Sequence, residues 1–304
     1  MTSYHFYTLD VFTHRIFGGN PLAVFPDARG LSADLMQKIA GEFNLSETVF
    51  ILPPEDPAHT RRLRIFSPST ELSFAGHPTI GAAYLLAKIG EIPLPAQSTE
   101  IIFEEGVGEV PVTIFAQGGQ PLSARLTATL PQVGPSLPPN AAIAEVVSLL
   151  PQEILDGEYA PQAMSCGVPY ALIPVRDREA VRRSRLNHAA WEQILKSHWA
   201  PNLFLFAFQP ELPGSHLRGR MFAPALGIAE DPATGAAASA LGGYLGMRQA
   251  AANGAFHWRL EQGFEMGRPS LLEISVEKAN GEIGKIQVGG KAVLVSQGMM
   301  EVRE

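Results

Sequence analysis

The sequence predicts an α+β protein of two similar halves, each a mixed β-sheet wrapped around a central helix, with a cleft between the halves. Two observations lead to this fold class. The chain repeats itself at about half its length, and each half holds short β-rich runs followed by a helix of small residues. The 304 residues are enough for about two domains, and 46% of them are apolar, which allows sizeable cores.

Four segments of the first half resemble segments of the second half in the same order. Residues 19–24 (GNPLAV) resemble 167–172 (GVPYAL), 31–39 (LSADLMQKI) resemble 186–194 (LNHAAWEQI), 64–68 (RIFSP) resemble 220–224 (RMFAP), and 78–83 (PTIGAA) resemble 233–237 (ATGAA). Each match is short, but their common order and nearly constant spacing indicate a duplicated fold. We expect halves at 1–118 and 119–304, joined near the Pro/Gly-rich stretch 117–140, with a last strand at about 290–304 that can return to the first half.

The elements of the first half follow from local patterns. β-branched, aromatic and apolar runs predict strands at 4–12, 22–25, 48–52 and 63–66. Between the second and third of these strands, apolar residues at helical spacing predict a short amphipathic helix. Its N-cap is expected at Ser32, and Asn187 takes the same place in the second half. Later β-rich runs predict strands at 109–115, 202–208 and 271–276.

Small residues mark one central helix in each half. The first is expected to open at Gly76, with Pro78 just inside it, and to end at Gly90. The second is expected to open at Asp231 and to run through Gly235. Glycine within a helix costs about 0.5–1 kcal/mol relative to alanine, so these glycines indicate close backbone approach. Two interpretations are open: the helices pack tightly inside their sheets, or their N-termini bind an anion such as a carboxylate.

Three polar residues are candidates for proton chemistry, and each has an ordinary alternative. Glu47 precedes an apolar strand, where desolvation favours a proton-transfer role, but it could also form a capping box with Asn44. His77 could be a turn or cap histidine, or a neutral imidazole under the positive potential of a helix N-terminus. Asp231 could be a plain N-cap; its functional interest is that it takes nearly the repeat position of His77.

Composition and missing motifs exclude several function classes. The formal net charge of −7 disfavours nucleic acids and anionic membranes as partners, and no run is apolar enough for a membrane span. The single cysteine, Cys166, excludes an internal disulfide and predicts a reducing cytoplasm, and no signal peptide is evident at the start. The sequence has no GxSxG motif of a nucleophile-elbow hydrolase and no Walker A or GxGxxG motif of a nucleotide site. It also has no HExxH motif, so we expect no catalytic metal.

The chain resembles the PhzF-like family of phenazine-biosynthesis isomerases and their relatives. The resemblance covers nearly the whole chain in order, with specific motifs at the following positions: 10–12 (DVF), 18–24 (GGNPLAV), 44–48 (NLSET), 75–79 (AGHPT), 166–169 (CGVP), 220–224 (RMFAP), 230–235 (EDPATG), 262–263 (QG) and 266–269 (MGRP).

The resemblance implies the diaminopimelate-epimerase-like fold, with the active site in the cleft between the two halves. It also implies a homodimer and no cofactor. It implies that Glu47 shuttles a proton between carbons of a small carboxylated substrate, cyclic ones included, and that His77 and Asp231 assist. In the characterised isomerase that substrate is a dihydro-hydroxyanthranilate. The positions implied to bind substrate are Asn20, Gly76, Pro78, Thr234, Gly235 and Ala236.

One position departs from the family pattern. The isomerases have a serine where this chain has Ala236, so a hydroxyl next to the substrate or Asp231 is missing. The racemases of the superfamily use two cysteines at the two helix ends, which one cysteine cannot supply. We therefore expect a cofactor-independent isomerase. The alternatives are a protein of the same fold that binds a small carboxylate with reduced catalysis, and a hydrolase or lyase, for which the sequence identifies no activated water.

Overall fold

The computed structural model describes residues 2–302, which form two compact units. The first unit runs to Thr127 and resumes at Gly289, and the second comprises Ala128–Val288. The boundary expected at 118/119 falls in the tight turn between two paired strands of the first unit. The observed division lies further along the same Pro/Gly-rich stretch.

The first unit contains most of its elements in one run of the chain. Its opening strand ends one residue before Phe12, and the first helix has Ser32 as N-cap, whose side chain accepts from the backbone N–H of Leu35. The elements are β1 (Thr2–Val11), β2 (Asn20–Phe25), α1 (Ala33–Phe43), β3 (Glu47–Leu52), β4 (Arg61–Phe66), β5 (Glu71–Leu72), α2 (Gly76–Lys88), β6 (Ser98–Glu105), β7 (Gly108–Gln117) and β8 (Gln120–Ala128).

The second unit repeats this plan with two short helices in place of α1. Asn187 is the N-cap of the second of them, as expected from the repeat. The elements are β9 (Gln132–Val133), α3 (Asn140–Val146), β10 (Gln162–Ser165), β11 (Pro169–Pro174), α4 (Arg178–Arg183), α5 (His188–Ile194), β12 (Asn202–Ala207), β13 (Leu217–Ala223), β14 (Ile228–Asp231), α6 (Gly235–Met247), β15 (Gly254–Gln262), β16 (Ser270–Ala279) and β17 (Glu282–Gly290). The last strand, β18 (Ala292–Val302), pairs with β1 in the first unit.

Strand pairing follows the same order in both units. β1–β2 is antiparallel, β2–β3 parallel, β3–β4 antiparallel and β4–β6 parallel. β10–β11 is antiparallel, β11–β12 parallel, β12–β13 antiparallel and β13–β15 parallel. This shared topology confirms the α+β fold of two similar halves.

An acidic anchor near the end of one strand also recurs. Glu104 accepts hydrogen bonds from the backbone N–H groups of Glu55 and Asp56, at 2.8 and 2.7 Å. Glu261 accepts from Glu211 and Leu212, at 2.8 and 2.6 Å. The two glutamates are 157 residues apart and hold equivalent loops, so the duplication extends to the side chains that fix the loops.

Each central helix is buried by its own sheet. Helix α2 contacts strands β1, β2, β3, β7 and β18, and α6 contacts β10, β11 and β16. A Cβ added to Gly81 would lie 2.4 Å from Leu22, and one added to Gly242 would lie 2.9 Å from Ile274. The helical glycines therefore serve close packing against the sheets, which was one of the two open interpretations.

The termini of the two central helices differ from the sequence prediction in one case. Helix α2 begins at Gly76 as expected and ends at Lys88, two residues before Gly90, whose φ is 86°. Helix α6 begins at Gly235 with Thr234 as N-cap, so the expected start at Asp231 is wrong. Asp231 ends strand β14, because Asp231 pairs with Met221 of β13 before the chain turns into the helix.

No helix in residues 2–302 has the length and apolar character needed to cross a membrane.

Two glycines of similar backbone conformation test how far close packing governs this fold. Gly263 and Gly267 have φ values of 77° and 72°. A Cβ on Gly263 would lie 2.5 Å from the carbonyl oxygens of Arg268 and Pro232, whereas one on Gly267 meets nothing within 4 Å. We expect Gly267→Ala to lower the free energy of unfolding by about 1 kcal/mol, the cost of a left-handed conformation. Gly263→Ala should cost about 3 kcal/mol, because backbone must also move.

Denaturant unfolding of both variants measures the difference. Equal losses for Gly263→Ala and Gly267→Ala would contradict the close backbone approach at Gly263.

Candidate active-site residues

The first cluster consists of Asn20, Glu47 and His77, all in the first unit. Asn20 is the first residue of β2 and Glu47 is the first residue of β3. The two strands run parallel, with Leu22 opposite Glu47, so both polar residues lie at the same end of neighbouring strands. His77 is the second residue of α2, which contacts both strands. The capping-box alternative for Glu47 is wrong, because Asn44 is the C-cap of α1.

A direct contact joins the histidine to the glutamate. His77 Nε2 lies 3.2 Å from Glu47 Oε2, and Asn20 Nδ2 lies 3.2 Å from His77 Nδ1. His77 Nε2 and Glu47 Oε2 are both buried, and the contact between them does not have the geometry of a hydrogen bond. The backbone carbonyl of Pro21 accepts a hydrogen bond from the ring. Glu47 is 8% exposed, His77 5% and Asn20 0%, so the contact is nearly dry.

His77 is neutral at physiological pH. Burial lowers its pKa to about 3, and a hydrogen bond with the Pro21 backbone opposes the shift. The cause is thus chiefly removal from water, whereas the sequence suggested the potential of the helix N-terminus. A neutral imidazole lies against the Glu47 carboxylate without adding a positive charge.

The start of α2 lies beside this contact. Gly76 is its first residue and Pro78 its third, both buried. The N-cap is Ala75, which makes no side-chain capping hydrogen bond. The backbone N–H groups of a first turn have no intrahelical partner, and the proline at the third position lacks one altogether. This end of the helix can therefore donate hydrogen bonds to an anionic group.

The second cluster consists of Asp231, Thr234 and Gln262 in the second unit. Thr234 Oγ1 donates to Asp231 Oδ2 at 2.5 Å. Gln262 Nε2 donates to the Asp231 carbonyl oxygen at 2.8 Å and to Thr234 Oγ1 at 3.0 Å, and its Oε1 accepts from the Thr234 N–H at 3.1 Å. All three residues are buried. The aspartate is therefore held in one orientation directly before helix α6.

The clusters are not arranged as the repeat alignment suggested. Counting from the first helical residue, Ala236 of α6 takes the place of His77 in α2. Asp231 lies four residues before Gly235, at the end of β14, and so does not share the position of His77. The interpretation of one polar residue at the same point of each helix is wrong. The error arose because His77–Pro78 and Asp231–Pro232 look alike in sequence.

A partly buried ion pair fixes the strand that carries Asp231. Arg220 Nε and Nη2 bind the two carboxylate oxygens of Glu230 at 2.7 and 2.8 Å. Arg220 Nη1 also donates to the Ser184 carbonyl oxygen at 2.6 Å. A bidentate pair of this kind sets direction as well as distance, and Glu230 immediately precedes Asp231.

Sequence reasoning gave no role to two residues that contact the starts of the central helices, Gln262, named only as part of the QG motif, and Glu105. Each is the last residue of its strand, β15 or β6, and each is followed by glycine. They are 157 residues apart, the same spacing as Glu104 and Glu261. Aligning the segments 104–106 (EEG) and 261–263 (EQG) would have found both.

No group of three or more His, Cys, Asp or Glu side chains within residues 2–302 is placed to hold a metal ion.

Comparisons with known proteins identify the family. The family model for phenazine biosynthesis-like proteins, PhzC-PhzF, matches residues 9–298. An uncharacterised isomerase of Mesorhizobium japonicum is 38% identical over 304 residues, with 99% of each chain covered. The trans-2,3-dihydro-3-hydroxyanthranilate isomerase of Pseudomonas aeruginosa is 30% identical, covering 97% of this chain and 98% of that protein.

A solved structure shows the same fold. The phenazine biosynthesis protein of the PhzF family from Bacillus anthracis superposes with a TM-score of 0.87 at 24% identity, covering 99% of this chain and 100% of that one. Together these matches confirm the resemblance seen in the sequence motifs. The chain belongs to the PhzC-PhzF family of phenazine biosynthesis-like proteins, and it is an isomerase of the PhzF type.

Proposed function

We propose that this isomerase works without a cofactor and moves a proton on a small carboxylated substrate, with Glu47 as the acid/base. The observation that carries the proposal is the buried Glu47 carboxylate, whose Oε2 lies 3.2 Å from Nε2 of a neutral His77. A desolvated, oriented carboxylate is suited to remove a proton from carbon, because it has lost the water that would otherwise stabilise its charge.

The proposed reaction conserves electrons within the substrate. Glu47 removes a proton from a carbon next to a conjugated system, so the C–H bond breaks, an O–H bond forms and the electron pair enters that system. The same proton then returns to a different carbon, and the carboxylate is restored. His77 keeps the carboxylate oriented through both steps. The product is an isomer, and no oxidant or reductant is needed.

The starts of the two central helices support binding of a carboxylated substrate. The N-cap residues of α2 and α6, Ala75 and Thr234, make no side-chain capping hydrogen bond, which supports ligand binding by the N–H groups of the first helical turns. We assign substrate binding to Asn20 and to the starts of both helices. We assign an assisting role to Asp231, which Thr234 orients. The helix residues in this binding role are Gly76, Pro78, Thr234, Gly235 and Ala236.

Two further properties are proposed, the oligomeric state from the family resemblance and the location from the single cysteine. We propose a homodimer located in the cytoplasm. Light scattering of the purified protein tests the dimer, and fractionation of the source cells tests the location.

Removal of the Glu47 charge tests the acid/base role directly. We expect Glu47→Gln to reduce deuterium uptake from D₂O into trans-2,3-dihydro-3-hydroxyanthranilate, the substrate named for a relative, by about 10²–10⁴-fold. The amide keeps the size of the side chain but cannot accept the proton. Mass spectrometry of the recovered compound measures the uptake.

Glu42→Gln is the matched control, since Glu42 is an exposed residue of α1. Full deuterium uptake by Glu47→Gln would refute the acid/base role. Saturable binding of the compound by wild type without any exchange would instead favour a binding protein of the same fold.

Restoring the family serine tests why the substrate would differ from that of the relatives. Ala236 is the second residue of α6 and 9% exposed. We expect Ala236→Ser to raise turnover of trans-2,3-dihydro-3-hydroxyanthranilate about tenfold, the effect of one hydrogen bond of about 1.4 kcal/mol. Steady-state kinetics measures the gain. Ala237→Ser, one residue further along, should not produce it, and equal effects of both serines would argue against a specific contact at 236.

A further inference from the structure

Glu105 is a buried acid outside the two clusters. It ends strand β6, is 8% exposed, and its Oε1 lies 2.6 Å from Thr79 Oγ1 in the first turn of α2. Its Oε2 is buried and has no hydrogen-bond partner in the part of the chain that the structure describes. An ionised carboxylate in this place would have one oxygen without water or a donor, which is costly.

The hydrogen bonds of Thr79 identify the direction of the contact. Thr79 Oγ1 also lies 2.8 Å from the carbonyl oxygen of Ala75, the N-cap of α2. A hydroxyl has one proton, so it cannot donate to the carbonyl and the carboxylate together. Both contacts are satisfied if Glu105 carries a proton and donates to Thr79, which in turn donates to Ala75. A carboxylic acid and a hydroxyl at 2.6 Å fit this arrangement.

The second unit uses a side chain that cannot ionise at the same place. Gln262 ends β15 as Glu105 ends β6, and its Nε2 donates to Thr234 Oγ1. The Thr234 hydroxyl in turn donates to the Asp231 carboxylate. The amide is a permanent donor of similar shape to a protonated glutamate. In both units a strand-end donor reaches a threonine at the start of the central helix.

No cation among the described residues is available to stabilise an ionised Glu105. The basic groups that line the same cavity each have an acidic partner: Arg62 pairs with Glu55, Arg64 with Glu71, and His59 with Glu104. Burial raises the pKa of Glu105 to about 8, against a small opposing effect of Thr79. The charged and titratable groups facing this cavity, besides Glu105, are Glu55, Asp56, His59, Arg62, Arg64, Glu71, Glu104 and Glu109.

We infer that Glu105 is a neutral hydrogen-bond donor that locks the first turn of α2 through Thr79 and thereby positions His77 against Glu47. Glu105 is a positioning residue, since it touches neither Glu47 nor His77. Thr79 and the N-cap Ala75 each lie two residues from His77, so a shift of this turn moves the imidazole. The link to catalysis rests on the proposed function of Glu47, whereas the hydrogen-bond role does not.

Three variants test the inference. Glu105→Gln keeps an N–H donor and cannot ionise. Glu105→Leu has similar bulk and no donor. Glu100→Gln makes the same chemical change at an exposed residue of the same strand and serves as the control.

The first readout is stability against pH. In the wild type, the unfolded chain releases the Glu105 proton above its ordinary pKa of 4.5, whereas the folded chain keeps it up to about 8. The unfolding constant of wild type should therefore rise relative to that of Glu105→Gln by about tenfold per pH unit across this window. Glu100→Gln should follow wild type. Parallel curves for wild type and Glu105→Gln would overturn the inference.

The second readout is the ¹⁵N shift of the His77 ring, which a merely structural role would leave unchanged. At pH 6.5 we expect the same shift in wild type and Glu105→Gln and a different one in Glu105→Leu. Above pH 8 the wild-type signal should move and that of Glu105→Gln should not. A Glu105→Gln signal that matches Glu105→Leu would overturn the inference.

If Glu105→Leu does not fold, the comparison of wild type with Glu105→Gln above pH 8 replaces it, because deprotonation of Glu105 in the wild type removes the same hydrogen-bond donor. Neither readout requires turnover. Failure of the Glu47 proposal and failure of the Glu105 inference are therefore distinguishable.

Discussion

The contact between a buried carboxylate and a neutral imidazole is the constraint on which the first unit depends. Glu47 and His77 are each less than a tenth exposed, and no water shell is left to compensate for errors in their placement. Parallel pairing of β2 with β3 brings Asn20 and Glu47 to one strand end, and the burial of α2 within its sheet brings His77 to them. The glycines of the helix make that approach possible.

Duplication supplied one scaffold, and the two copies use it differently. The strand-end anchors Glu104 and Glu261 hold equivalent loops in the same way. At the next position the copies diverge to Glu105 and Gln262, an acid and its amide. A protonated acid and an amide can both donate to a threonine hydroxyl, so the geometry survives the exchange. Only in the first copy does the hydrogen bond at this position depend on pH, because Glu105 can ionise and Gln262 cannot.

Local patterns in the sequence were sufficient for the duplicated α+β fold, because strands, N-caps such as Ser32 and the small-residue helices are encoded within short windows. Glu47 at the start of a buried strand was predicted for the same reason. The predicted equivalence of Asp231 with His77 was wrong. Both residues precede a proline, but Asp231 pairs with Met221 of the neighbouring strand, and the helix therefore starts later in the second unit. The Glu47–His77 contact and the role of Glu105 arise from register and packing, which no single window contains.

The protonation state of His77 tests the central claim most directly. A ¹⁵N-edited titration of the imidazole from pH 4 to pH 8 reports both the charge and the tautomer of the ring. We expect the signals of a neutral ring throughout this range, because its pKa is lowered to about 3. A ring that gains a proton near pH 6.5 would contradict a dry contact between a neutral His77 and Glu47.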